Sequence, residues 1–113
     1  MIKEQPFLWI ARLDYNEPQT EAEWNNFYSS VHLQEILSLP GVMRVSRYEC
    51  IKGRKNNPKY LSITEISGED NLNQFATSAE AIAVGKVLPE KFPKTSGVSL
   101  AAYRHMITAE KGK

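Results

Sequence analysis

A chain of 113 residues is the size of a single domain and buries roughly two thirds of its unfolded surface, enough to fold without a metal or disulfide staple. Apolar residues at 42% and charged residues at 24% are globular values, and no run approaches the roughly 20 apolar residues of a membrane span. Fourteen basic against thirteen acidic residues leave a net charge of +1, too weak a field to draw the chain onto nucleic acid or an anionic membrane.

Residues 1–6 lack the apolar run of a secretory signal, and the single cysteine, Cys50, cannot close an intrachain bridge. A reducing, cytoplasmic setting and one domain over residues 1–113 are expected. The apolar, aromatic stretch 7–13, ending in the turn-rich residues 14–18, predicts a first strand. Thr20 and Glu23 have the spacing of a capping box, which predicts a helix over 21–38 with Trp24, Phe27, Tyr28 and Val31 facing inward. Pro40 and Gly41 supply its stop and turn.

Val42, Val45, Tyr48 and Ile51 mark a second strand over 42–51. A basic loop over 53–58 then leads to a third strand over 60–66, so the two form a hairpin. Leu72, Phe75, Ala76, Ala79, Ile82 and Ala83 predict a second helix, with Ser67, Asp70 or Asn71 to cap it and Gly85 near its end. Two prolines make residues 88–97 irregular, a last strand follows over 98–107, and the tail 110–113 is expected to fray.

The order β-α-β-β-α-β with right-handed crossovers gives an α+β, ferredoxin-like fold: a four-stranded antiparallel sheet with both helices on one face. The second strand is nevertheless apolar on both alternations, with Val42, Tyr48 and Cys50 on one side and Met43, Val45 and Ile51 on the other. In the last strand, Val98, Leu100, Ala102 and Met106 oppose Ala101, Tyr103 and Ile107. An uncovered face of that kind exceeds what monomers usually expose, so a homodimer built sheet on sheet is expected; a tail or loop folded across the face is the alternative.

Tyr28, His32 and Glu35 fall within one sector of the first helix. Glu35 is expected near the centre of the apolar stripe, where burial without a partner would raise its pKa, while burial alone would lower that of His32. Such a set can do acid-base chemistry, with His32 as proton acceptor and Tyr28 as donor to a ligand oxygen. A plain His32–Glu35 hydrogen bond at the helix edge, with Tyr28 in the core, fits the spacing as well and is the commoner arrangement.

The run Phe27-Tyr28-x-x-x-His32-Leu33-x-Glu35-Ile36-Leu37-x-Leu39-Pro40-Gly41-Val42, then Arg44-x-x-Arg47-Tyr48 and Pro58-Lys59-Tyr60-Leu61, resembles the EthD-like branch of the dimeric α/β-barrel superfamily over residues 21–66. The resemblance implies a ferredoxin-like protomer joined to a second across their sheets, with a pocket between sheet and helices that takes a small organic molecule. Its relatives include cofactor-free monooxygenases and cyclases, lactone isomerases, sugar mutarotases and haem-degrading or haem-binding proteins, beside members without established activity. It assigns the helix histidine to His32 and the tyrosine to Tyr28; Phe27, on the inward stripe, is a further candidate for contact with the ligand. The motif itself defines no reaction.

Tyr103 and His105 share one face of the last strand and are expected at the pocket or the dimer seam. Trp9 and Trp24 are candidate aromatic walls, although core packing alone would explain both. Cys50 reads as an inert small hydrophobe. Two distant histidines without Cys-x-x-Cys or His-x-x-x-His give no reason to expect a metal, and no glycine-rich loop supports a nucleotide, so no cofactor is expected. A haem-ligand role for His32 or His105 is not distinguishable from the acid-base role at this level. Three classes remain in view: a cofactor-independent oxygenase, cyclase or isomerase using His32; a non-catalytic ligand-binding or stress-associated protein; and an RNA-binding domain, which the single aromatic of the third strand, Tyr60, and the near-neutral charge disfavour.

Overall fold

Alternation decides how the third strand lies. In β3 (Tyr60–Ile66), Tyr60, Ser62, Thr64 and Ile66 are buried while Leu61, Ile63 and Glu65 are half-buried, the signature of a strand with one face under a helical layer. The computed structural model describes residues 5–112 and places β3 at the centre of a four-stranded sheet. β3 pairs antiparallel with β1 (Phe7–Tyr15) and with β2 (Val42–Glu49), and β1 pairs antiparallel with β4 (Thr95–Tyr103), giving the order β2-β3-β1-β4. Residues 1–4, which open the stretch read for a signal, and Lys113 of the tail lie outside the described residues. Among the described residues no helix is long and apolar enough to cross a membrane.

The first helical segment runs through α1 (Glu21–Phe27), a π-helical stretch (Tyr28–His32) and α2 (Leu33–Leu37) without a break. The π stretch corrects the expected inward face. Trp24, Tyr28, His32 and Ile36 are buried at intervals of four, whereas Val31 is exposed and Phe27 only half-buried. At about 100° per residue an interval of four drifts about 40° each time around an α-helix; the wider i→i+5 turn takes up that drift and keeps all four toward the sheet. The expected capping box is also absent. The Thr20 hydroxyl donates to Glu17 Oε1 at 2.7 Å instead of capping α1.

The second helical segment is two helices, α3 (Glu69–Thr77) and α4 (Ala79–Lys91), where one was expected. Ser78 breaks it: its backbone is extended, and its hydroxyl accepts from the Ala81 amide at 3.1 Å as the cap of a new helix. Gly85 lies inside α4 and so does Pro89, within the last turn, where Leu88 and Phe92 are buried and hold the helix despite the missing amide. The last strand ends at Tyr103 because Leu8, its partner near the start of β1, is the last residue there to pair with β4.

A bulge corrects the alternation of β2. Val42 pairs with Ile66 and Arg44 with Glu65, so Met43 is an extra residue, and Val42 and Val45 share the helix side while Tyr48 turns to the other. Gly41, at φ +78°, makes the turn before it; a Cβ there would fall 2.4 Å from the Asn71 side chain, so only glycine fits.

Trp24, fully buried, centres a core with Leu13, Tyr60, Leu88 and Phe92. The opposite face of the sheet carries Leu8, Ile10, Leu61 and Ile63, with Tyr48 at 54% and Tyr103 at 46% exposure. The described part of the tail, residues 104–112, is exposed throughout, so it does not fold across that face.

Candidate functional site

Between the sheet and the helices lies a cavity of about 310 Å³. Its floor is the helix side of β1 and β3 (Trp9, Ala11, Ser62, Thr64), and its roof includes Tyr28 and His32, Phe75 of α3 and Leu88 of α4. The third wall is β4, where the pairing slips: Arg12 faces Ser99 but Asp14 faces Ser96, which leaves an extra residue on β4 around Gly97 at φ +62°. This bulge sets Thr95, Val98 and Leu100 all against the cavity, an arrangement strict alternation forbids.

His32 is 5% exposed and its ring lines the cavity. Nδ1 lies 3.1 Å from Glu35 Oε1. A carboxylate accepts, so in the neutral ring Nδ1 carries the proton and Nε2 is left as the acceptor. Nε2 makes no hydrogen bond among the described residues, and no fully buried side-chain nitrogen or oxygen there lacks a partner. Nε2 is thus not sealed off from solvent-sized space, and His32 is one of the residues that line the cavity. Glu35 stands on the flank of the helix, with its side chain 35% exposed, and it is partnered rather than stranded in the apolar stripe.

Tyr28 meets the His32 ring edge to face, with centroids 5.2 Å apart, and its hydroxyl donates to Ser62 Oγ at 3.1 Å. Burial raises the Tyr28 phenol above the ordinary tyrosine pKa, while the Ser62 bond and the charge of Arg47 pull the other way. The Arg47 guanidinium carbon stands 4.0 Å from the centroid of the Tyr28 ring, and its nitrogens donate to Asn25 Oδ1 at 2.9 Å and Ser29 Oγ at 3.0 Å.

Trp9, Tyr28 and His32 thus meet at one cavity, and Glu35 joins them through the imidazole. Trp24 does not line it: it fills the core and donates from Nε1 to Thr95 Oγ1 at 3.1 Å. Phe27 packs on Phe92. Tyr103 turns to the outer face with Leu8, and His105 lies beyond β4, exposed and bonded to Thr108. The cavity's own hydroxyls, Ser62 and Thr64, are not among the residues that the sequence pattern singles out. Their signal was available in β3, where two small polar residues alternate onto a face otherwise held by Tyr60 and Ile66.

No protein-family model and no curated protein sequence matches the chain. Solved structures do. An EthD family protein from Bacillus halodurans superposes with a TM-score of 0.68 at 17% identity, over 89% of this chain and 99% of that one. The haem-degrader MhuD from Mycobacterium tuberculosis, with two haems bound in its active site, gives 0.69 at 16%, over 93% and 100%. SnoaB, a cofactor-independent oxygenase from Streptomyces nogalater, gives 0.65 at 12%, over 92% and 96%. The fold is ferredoxin-like. At these identities the likeness is one of fold, and the ferredoxin-like frame hosts haem chemistry in one neighbour and cofactor-free chemistry in another, so function has to be argued from the cavity.

Proposed function

We propose that the protein works as a homodimer that binds a small organic molecule in this cavity and moves a proton at its His32 end. The observation that carries the reading is the setting of His32: Nδ1 is bonded to Glu35, Nε2 has no partner among the described residues, and the ring lines a mostly apolar cavity. An acidic C–H beside a carbonyl placed there gives its proton to Nε2. The bond's electron pair moves onto the ligand's carbonyl oxygen, and Glu35 stabilises the imidazolium that forms. Ser62, which accepts from Tyr28, keeps its own proton to donate to that oxygen.

The dimer reading rests on the sheet face that carries Ile10, Ile63, Tyr48 and Tyr103 and that neither the helices nor the described tail covers. A second copy of the same face is its simplest cover.

Deuterium exchange tests the proton chemistry before a natural substrate is known. With 2-tetralone, a readily enolised cyclic ketone, in D2O, the wild-type protein is expected to speed deuterium uptake beside the carbonyl, and His32→Gln is expected to abolish the gain while keeping the fold and mass. Equal uptake in both proteins contradicts the assignment. A ligand retained by both, with no exchange in either, favours the non-catalytic binding protein, which needs the same apolar walls.

A further inference from the structure

Among the described residues, no lysine, arginine, aspartate or glutamate lines the cavity. Two charged side chains that touch lining residues at its polar end are turned to other work. Arg47 is stacked on the Tyr28 ring and bonded to Asn25 and Ser29, and Glu35 is bonded to His32. An anionic group brought inside would lose its hydration and meet no lysine or arginine, and the only cation it could raise, a protonated His32, is already paired with Glu35. The space is also small: about 310 Å³ lies at the foot of the ~300–1,000 Å³ range of small-molecule sites.

The polar atoms add a second restriction. Nε2 of His32 accepts and so asks the ligand for a donor. The Ser62 hydroxyl, having accepted from Tyr28, has a proton to give and so asks for an acceptor. Both residues contact Tyr28, so the ligand's donor and acceptor must lie close together. Thr64, two residues along the same face of β3, serves either role.

A porphyrin fits this lining in one respect only. Its iron could meet the open imidazole nitrogen, but its propionates find no lysine or arginine among the lining residues and its macrocycle asks for more room. We propose that the cavity selects a compact, uncharged ligand carrying a hydroxyl beside a carbonyl, and that it does not take haem, although a neighbour of the same fold does. The hydroxyl half of this proposal rests on the reading of Nε2 as the open acceptor; the preference for neutral ligands rests on the walls alone.

Two bicyclic probes of similar size test it: 2-hydroxy-1-tetralone, a neutral hydroxyketone, and 1,2,3,4-tetrahydro-2-naphthoate, which carries a carboxylate instead. Binding is followed at pH 7 through tryptophan fluorescence, since Trp9 lines the cavity. The hydroxyketone is expected to bind at least about tenfold tighter, about 1.4 kcal/mol, Ser62→Ala is expected to weaken it, and hemin is expected to show no stoichiometric Soret change that His32→Gln removes. Equal or tighter binding of the carboxylate, failure of both probes to bind, or one-to-one hemin binding lost in His32→Gln would each overturn the proposal. The neutral-over-anionic preference should persist in His32→Gln. A protein that keeps the preference yet exchanges no deuterium therefore defeats the proton chemistry alone, and one that exchanges deuterium but prefers the carboxylate defeats the ligand class alone.

Discussion

His32 Nδ1 and Glu35 Oε1 lie 3.1 Å apart along the same helix, and this contact fixes which ring nitrogen the cavity receives. Long-range proton–nitrogen NMR on labelled protein should find His32 protonated on Nδ1 when the ring is neutral. In Glu35→Ala the two tautomers should mix, with the fold retained. A wild-type ring protonated on Nε2 would contradict the orientation.

Tyr28 gives a pH signature. Its folded pKa is raised by burial, so above about pH 10 the unfolded chain releases this proton while the folded one holds it. The folded state then binds more protons, and stability must fall as pH rises. The contribution is whole below the unfolded value and is lost on the way up through the folded one. Tyr28→Phe should flatten this alkaline limb of the unfolding curve and cost about 1 kcal/mol at neutral pH for the lost Ser62 bond. An unchanged alkaline limb would show that Tyr28 titrates as freely as a surface tyrosine.

Arg47, which does not line the cavity, holds Tyr28 through its stack on the ring and its bonds to Asn25 and Ser29. Arg47→Met should cost about 1–3 kcal/mol in denaturant unfolding. Arg47→Lys, which keeps the charge but not the planar fork, should fall between the two. Equal stability of all three proteins would mean that the stack contributes nothing.

Gly97 sits at φ +62° in the β4 bulge, and the atoms nearest a Cβ there, the side chain and amide nitrogen of Asp14, come no closer than 3.6 Å. Backbone strain rather than collision sets the cost. Gly97→Ala should lose about 1–2 kcal/mol and weaken probe binding, because the bulge turns both Thr95 and Val98 toward the cavity. Full stability in this variant would deny the bulge its role.

Ile63 lies opposite Ile10 on one side and Ser46 on the other, in the middle of the uncovered sheet face. Light scattering should give twice the 12.8 kDa chain mass for the wild type and a single chain mass for Ile63→Lys. A wild-type protein of one chain mass at micromolar concentration would reject the dimer.

The sequence makes the sheet largely legible, because strands such as β3 write their burial in alternate residues and because turn residues such as Pro40 and Gly41 punctuate the chain. The departures come from single-residue irregularities that local propensity does not encode. The π stretch at Tyr28–His32 moves Val31 outward, the extra Met43 reverses the faces of β2, and Ser78 starts a second helix inside one hydrophobic pattern. The site divides in the same way. Tyr28 and His32 are neighbours on one helix and can be read from their spacing, whereas Ser62, Thr64 and Thr95 reach the cavity only through strand register and a bulge. Trp24, as visible in the sequence as Trp9, went to the core because the helix turns it toward Tyr60 and Thr95.

A crystal structure of the protein soaked with 2-hydroxy-1-tetralone tests the central claim most directly. The account predicts the bicycle among the apolar walls, with its hydroxyl within hydrogen-bond distance of His32 Nε2 and its carbonyl facing Ser62. A ligand lodged elsewhere, or an imidazole whose Nε2 points away from the bound molecule, would contradict it.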